Sequence, residues 1–309
     1  MLRSLHNRAI FLKDMAKIKK AVIPAAGFGT RFLPQTKAMP KEMMPLVDKP
    51  IIQRVVEELV EAGVETIVIV TGWHKRSIED HFDNQFELEE KLSRAGKTVE
   101  LEMIRRISDL AEFVYVRQKG PQGNATPILN ARHILQDEPF IVFWGDEFID
   151  ATPSRARQLI EAFEKYQAPI ISSVKISTDD EYKRYGVVGG QPVEDGTIKV
   201  ERIMEKPGRE NAPSDLGAIG GFIATADIYE PLEQARQNLG ENQELIYTLG
   251  MQGMIDKGLP VYALQLKDAV YRDTGDKLGY LKAIVEYGLH HDDIGEDFKA
   301  FLKNLPLDK

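Results

Sequence analysis

Apolar and polar positions follow one another in blocks along this chain. Lys20–Ala25 (KAVIPA) is a short apolar run that ends in a glycine-rich turn, the pattern of a strand buried on both faces. Over residues 50–62 the spacing becomes helical. Ile51, Val55 and Leu59 form one row and Ile52, Val56 and Val60 the next, with Gln53, Arg54, Glu57, Glu58 and Glu61 on the other face. Asp48 offers a capping carboxylate, Pro50 suits the first turn, and Gly63 ends the helix. Residues 65–70 (ETIVIV) are a second buried strand, and strand, helix and strand in that order make a parallel pair. The alternation continues with strands over 113–116, 140–143 and 169–174 and helices over 128–135 and 154–166. Residues 185–206 then hold four glycines among short Val/Ile runs, which reads as antiparallel strands and turns. A strand over 217–225, helices over 227–239 and 245–257, a strand over 261–266 and a closing helix over 277–287 follow. The charged stretch 87–97 reads as a solvated helix. The fold class is α/β: a doubly wound, mostly parallel, Rossmann-like mixed sheet, with a smaller antiparallel part after about residue 150. Ligands of such sheets sit beyond the carboxyl ends of the strands, here near residues 25, 71, 117 and 145.

Composition narrows the function classes. A chain of 309 residues buries about 75% of its unfolded surface, enough for a large core. No cysteine is present, so there is no disulfide framework, thiolate metal site or cysteine nucleophile, which fits a reducing, cytoplasmic compartment. The net charge of −8 argues against binding nucleic acid along an extended basic face. Residues 1–20 hold six basic residues against Asp14, but their apolar stretches are too short for a signal peptide. No run of 18 uncharged apolar residues suggests a membrane span. Residues 1–19 are expected to be a poorly ordered extension, with Met15 as an alternative start. Residues 20–290 are expected to form a single domain (20–150 and 151–290 as its halves), and 291–309 a tail.

The loop after the first strand, Ala25-Ala26-Gly27-Phe28-Gly29-Thr30-Arg31, lacks the third glycine of a dinucleotide fingerprint and the Lys-Ser/Thr of a P-loop. Its glycines let backbone approach a ligand, and free N–H groups can cradle phosphate oxygens. From residue 30 to 49, Arg31, Lys37, Lys41 and Lys49 outnumber Glu42 and Asp48. A cationic loop behind the first strand of an α/β sheet points to a compact phosphate site.

The run 23–50 (IPAAGFGTRFLPQTKAMPKEMMPLVDKP) closely resembles the sugar-nucleotidyltransferase signature G-x-G-T-R-x(n)-P-K, and its wording is similar to the bacterial UTP–glucose-1-phosphate uridylyltransferases. Further matches are VTGWHKRSIEDHFD (70–83), YVRQKGPQG (115–123), RYGVV (184–188), EKP (205–207) and DTGDKLGYLKA (273–283). The resemblance implies attack of glucose 1-phosphate on the α-phosphorus of UTP, with Mg²⁺ as cofactor and no protein nucleophile. It implies that Arg31 and Lys41 hold the leaving pyrophosphate. Ala25, Ala26, Gly27, Gly29 and Thr30 belong to the nucleotide-binding loop, with the first three reading the base by their backbone. Gln118 and Gly123 meet the uracil. Asp146 and Asp273 are the implied metal ligands. Gly186 and Glu205 take the sugar hydroxyls, and Lys206 the sugar phosphate. Arg31, Lys41, Asp146 and Lys206 form the implied catalytic set. A homo-oligomer, dimer or tetramer, is expected from the family, with no nucleic-acid or membrane partner.

Three stretches depart from the family pattern. GNATP replaces G-x-G-H-A at 123–127, Gly145-Asp146-Glu147 replaces G-D-D, and NQELIYT at 242–248 replaces G-E-x-Q-L-T-D. The same residues would serve a thymidylyltransferase, a uridylyltransferase for another hexose 1-phosphate, or a catalytically silent sugar-nucleotide binder. His74 and His81 lack a third metal ligand, and the HHDD run at 290–293, though metal-like, lies in a polar tail outside the matching region; all are expected to be solvated.

Overall fold

The computed structural model describes residues 16–306 apart from Asp195. The expected N-terminal extension, including Met15, therefore lies outside the described residues as far as residue 15. Of its last residues, Ala16 donates its backbone N–H to Gln167 at 3.2 Å and Ile18 is buried.

In chain order the strands are β1 (Lys20–Ala25), β2 (Pro45–Leu46), β3 (Lys49–Pro50), β4 (Thr66–Thr71), β5 (Glu112–Arg117), β6 (Phe140–Val142), β7 (Phe148–Ala151), β8 (Ile170–Lys175), β9 (Gly186–Glu194), β10 (Thr197–Glu205), β11 (Leu216–Ala224), β12 (Tyr262–Gln265) and β13 (Ala269–Arg272). Nine of them form a central sheet in the order β5-β4-β1-β6-β11-β8-β12-β10-β9. Alternate residues of its inner strands feed two cores. Ala21, Ile23, Ile67, Ile69 and Ile141 pack under the helices Ile51–Glu61 and Arg155–Tyr166. Val22, Val68, Val70, Phe140 and Val142 pack on the other face, under Thr126–Leu135, Tyr229–Gln237 and Tyr247–Asp256. Because both faces are covered, these strands are continuously apolar instead of alternating.

The sheet is mixed. β5, β4, β1, β6 run parallel, as do β8 and β12, whereas β6–β11, β11–β8, β11–β9, β12–β10 and β10–β9 are antiparallel. The expected predominance of parallel pairing thus holds only for the first half. Connection length accounts for one of these pairs: parallel neighbours need a crossover of a dozen or more residues, and only two residues separate β9 from β10. The antiparallel strands also extend the same sheet, with β6 bonded directly to β11.

The helix expected over 50–62 is Ile51–Glu61, but Asp48 does not cap it; the Asp48 carboxylate faces His291 at 3.3 Å instead. Gln53 and Glu58, placed by periodicity on the solvent face, are buried. Glu58 pairs with the buried Arg155 at 2.8 Å, and Gln53 bonds His81 at 2.9 Å. His81 is therefore not a solvated residue. Nor is His74, which stacks on Phe28 with ring centroids 4.7 Å apart. The expected solvated helix is Phe86–Arg94 and has no buried residue. Periodicity did not reveal the helices Thr98–Ser108 and Asp179–Arg184 or the β7–β13 ribbon. Within the expected tail, Gly295–Lys303 is a helix.

Candidate active site

Ala25, Thr71 and Arg117 stand in register at the carboxyl ends of β1, β4 and β5, so the loops that follow open at one edge of the sheet. The first of these loops folds into short 3-10 turns, Thr30–Phe32, Gln35–Lys37 and Lys41–Met43. Gly29 has φ of +65°, and a Cβ there would lie 3.2 Å from both Lys41 Cβ and Thr36 Cγ2. Glycine is needed for the conformation and for the close approach alike. The Lys41 stem thereby runs along the loop, and its ammonium meets Asp146 Oδ2 at 2.5 Å. Burial alone would lower the Lys41 pKa, but Asp146 and Glu42 outweigh it and raise it, so Lys41 is charged at neutral pH.

Asp146 follows β6, as expected. Its neighbourhood is set by the β7–β13 ribbon. Phe148 pairs with Arg272 in antiparallel register, which carries Asp273 to the level of Asp146-Glu147. The Thr274 hydroxyl donates to the Asp146 carbonyl. Asp273 accepts from Arg184, from the Tyr185 hydroxyl at 3.0 Å and from the Gly275 N–H at 3.0 Å. Glu147 Oε2 accepts from the Tyr271 hydroxyl at 2.7 Å, while its Oε1 is buried without a partner. Burial, with Asp146 and Asp273 nearby, pushes the Glu147 carboxyl up to about 7.

The β9–β10 hairpin supplies the other wall. Glu205 pairs in register with Gly186, where a Cβ would stand 3.3 Å from Glu205 Oε2. Lys206 follows with φ of +47°, an uncommon conformation for a side-chain-bearing residue, and its N–H donates to the Tyr185 carbonyl at 3.2 Å.

Arg31, Asp146, Lys206 and Asp273, all predicted, line one cavity of about 350 Å³. Glu147, Lys183 and Arg184 line it too. Arg184 was missed as a site residue although it stands in the RYGVV match, because only tertiary structure shows it reaching Asp273. Gln118 and Gly123 lie outside this cavity, on the side of β4 and β5. The Gln118 N–H donates to the Thr71 carbonyl at 2.9 Å. Gly123, with φ of +127°, packs against the backbone of Leu245, so close that a Cβ would lie 2.1 Å from the Leu245 oxygen. Two of the departing stretches meet here: Ala125 donates to Leu245 at 3.0 Å, and the Tyr247 N–H donates to the Asn124 side chain at 2.8 Å.

A mixed α/β sheet whose strand-end loops gather four cations and three carboxylates around one cavity has the make-up of a site for a phosphate-bearing ligand. The chain belongs to the nucleotidyl transferase family, which matches residues 20–288. It is 43% identical over 293 residues, 95% of this chain and the whole of the relative, to a UTP–glucose-1-phosphate uridylyltransferase of Staphylococcus epidermidis. Among solved structures it resembles a UDP-glucose pyrophosphorylase complexed with UDP-glucose, at TM-score 0.79 and 39% identity, covering 89% of this chain and all of that one. It also resembles a UTP-bound enzyme from Acinetobacter baumannii, at TM-score 0.82 and 35% identity, covering 94% and 100%.

Proposed function

We propose that this protein is a UTP–glucose-1-phosphate uridylyltransferase that makes UDP-glucose and pyrophosphate. The observation that carries this reading is the convergence of Arg31, Asp146, Lys206 and Asp273, from four distant stretches of sequence, on one cavity. A phosphate oxygen of glucose 1-phosphate bonds to the α-phosphorus of UTP as the bond to the β-phosphate oxygen breaks. The sugar phosphate is already an anion, so no general base is required, and the chain's task is positioning and charge neutralisation. Arg31 and Lys41 hold the β- and γ-phosphates and stabilise the charge that pyrophosphate carries away. Lys206 holds the phosphate of the sugar, and Gly186 and Glu205 its hydroxyls. The backbone of Ala25, Ala26 and Gly27, with Gln118, reads the base.

Mg²⁺ fits the donor set. Two carboxylates, Asp146 and Asp273, face one cavity, and each now meets a cation, Lys41 or Arg184. Mg²⁺ takes few protein ligands and completes its shell with waters and phosphate oxygens. Bound there, Mg²⁺ would supply further neutralisation of phosphate charge.

The test is pyrophosphate release with UTP or dTTP crossed with several hexose 1-phosphates. UTP with glucose 1-phosphate is expected to turn over fastest. Absence of turnover with that pair overturns the reading.

A further inference from the structure

Directly beneath the phosphate-binding turn lies an ion pair that the proposed chemistry does not use. Lys75 Nζ meets Glu42 Oε2 at 2.6 Å, with side-chain exposures of 1% and 0%. Glu42 is the residue after Lys41, in the same 3-10 turn. Its Cγ would lie 3.2 Å from a Cβ at Gly145, the residue before Asp146. Lys75 comes from a different loop, the one after β4, at the start of the helix Arg76–Phe82. Two charge pairs thus adjoin: Lys41 with Asp146, which lines the cavity, and Lys75 with Glu42, the residue next to Lys41.

The Lys75–Glu42 pair is a poor device for stability, since removing two charges from water costs about as much as their attraction returns. Its position suggests another use. Glu42 Oε1 is buried and accepts no hydrogen bond, so the carboxylate has acceptor capacity to spare beside Lys41. Burial pushes the Glu42 carboxyl up, and the Lys75 and Lys41 ammoniums oppose that. Without Lys75, the nearest cation available to Glu42 is Lys41.

We propose, resting on the uridylyltransferase reading above, that Lys75 is a positioning residue. It neutralises Glu42 and so leaves the Lys41 ammonium free to face Asp146 and the β- and γ-phosphates of UTP. Lys75 touches no substrate; it acts through Lys41. The consequence is selective. UTP carries the phosphates that Lys41 holds, and UDP-glucose lacks the γ-phosphate and the leaving pyrophosphate. Loss of Lys75 therefore weakens UTP and pyrophosphate far more than UDP-glucose.

The experiment is calorimetric binding of UTP, pyrophosphate and UDP-glucose to the full chain and to Lys75→Met, Glu42→Gln/Lys75→Met and Lys75→Gln. Lys75→Met is expected to bind UTP and pyrophosphate at least tenfold more weakly and UDP-glucose within threefold of the parent. The double variant, with no unbalanced charge left, is expected to recover UTP affinity to within threefold. Should Lys75→Met not fold, Lys75→Gln keeps a donor to Glu42 without the charge and is expected to show the same selective loss. Equal weakening of UTP and UDP-glucose, no weakening of either, or a double variant as poor as the single one overturns the proposal, because a merely structural pair gives those results. Failure of the unaltered protein to bind either nucleotide would strike the uridylyltransferase reading itself and is read before any variant.

Discussion

Asp146 is held at both ends, its carboxylate by Lys41 and its carbonyl by the Thr274 hydroxyl. Asparagine keeps the size of the side chain and removes only its charge. Asp146→Asn is therefore expected to lower metal-dependent pyrophosphate release by about a hundredfold or more, with an unchanged circular dichroism spectrum. Near-normal turnover would remove Asp146 from the metal site. Gly123, which lies outside the cavity, is held by backbone packing alone. A Cβ 2.1 Å from the Leu245 oxygen cannot be accommodated, and φ of +127° adds strain. Gly123→Ala is expected to cost about 3 kcal/mol or more in urea unfolding, a size typical of a forced backbone shift. Cations and glycines of the first loop were legible in the sequence because their signal is local. Arg184, Glu147 and Lys75 were not, since each gains its role from a residue far away in the chain.

At the level of elements, the helix Ile51–Glu61 shows where periodicity stops informing. Its apolar rows are buried as read, but so are two of its polar residues, because a second helix and the segment carrying His81 close over that face. Glu58 is matched by Arg155, whose guanidinium also stacks 3.6 Å over the Phe143 ring and donates to the Gly220 carbonyl at 2.9 Å. Amphipathic spacing marks a solvent face only when no other element covers it. The His81–Gln53 contact carries a pH dependence. Burial lowers the His81 pKa below its ordinary value, against a smaller opposing effect of Glu57. The unfolded chain then binds the proton first as pH falls. Stability is complete above about pH 6.5 and is lost as pH drops toward the folded-state value, by at most about 1.4 kcal/mol per pH unit. Urea titrations at pH 7.5 and 5.5 should show this loss in the parent protein and a smaller one in His81→Gln.

Across the whole molecule, a net charge of −8 coexists with a cavity where Arg31, Lys183, Arg184 and Lys206 outnumber Asp146, Glu147 and Asp273. A polyanionic ligand is admitted by this placement and not by overall charge. Ligand binding should stabilise the fold by mass action. UTP at a hundred times its Kd is expected to add about 2.7 kcal/mol, a rise of roughly 5 °C in Tm, and ATP at the same concentration less. Equal shifts from both nucleotides would show that the base is not read. No helix among the described residues is long and apolar enough to cross a membrane. Short-range spacing and residue type were enough to read the strands of the parallel half, the helices Ile51–Glu61 and Thr126–Leu135, the cationic glycine-rich loop and the residues that bear charge. The antiparallel hairpin over 185–206 was legible too, but tertiary structure alone decided that β11 and β12 join the same sheet, the registers that bring Asp273 to Asp146 and Glu205 to Gly186, and the pairing of Lys75 with Glu42. Those depend on which distant segments share a sheet edge or a buried volume, and in a buried volume a charge is tolerated only where another segment brings its partner.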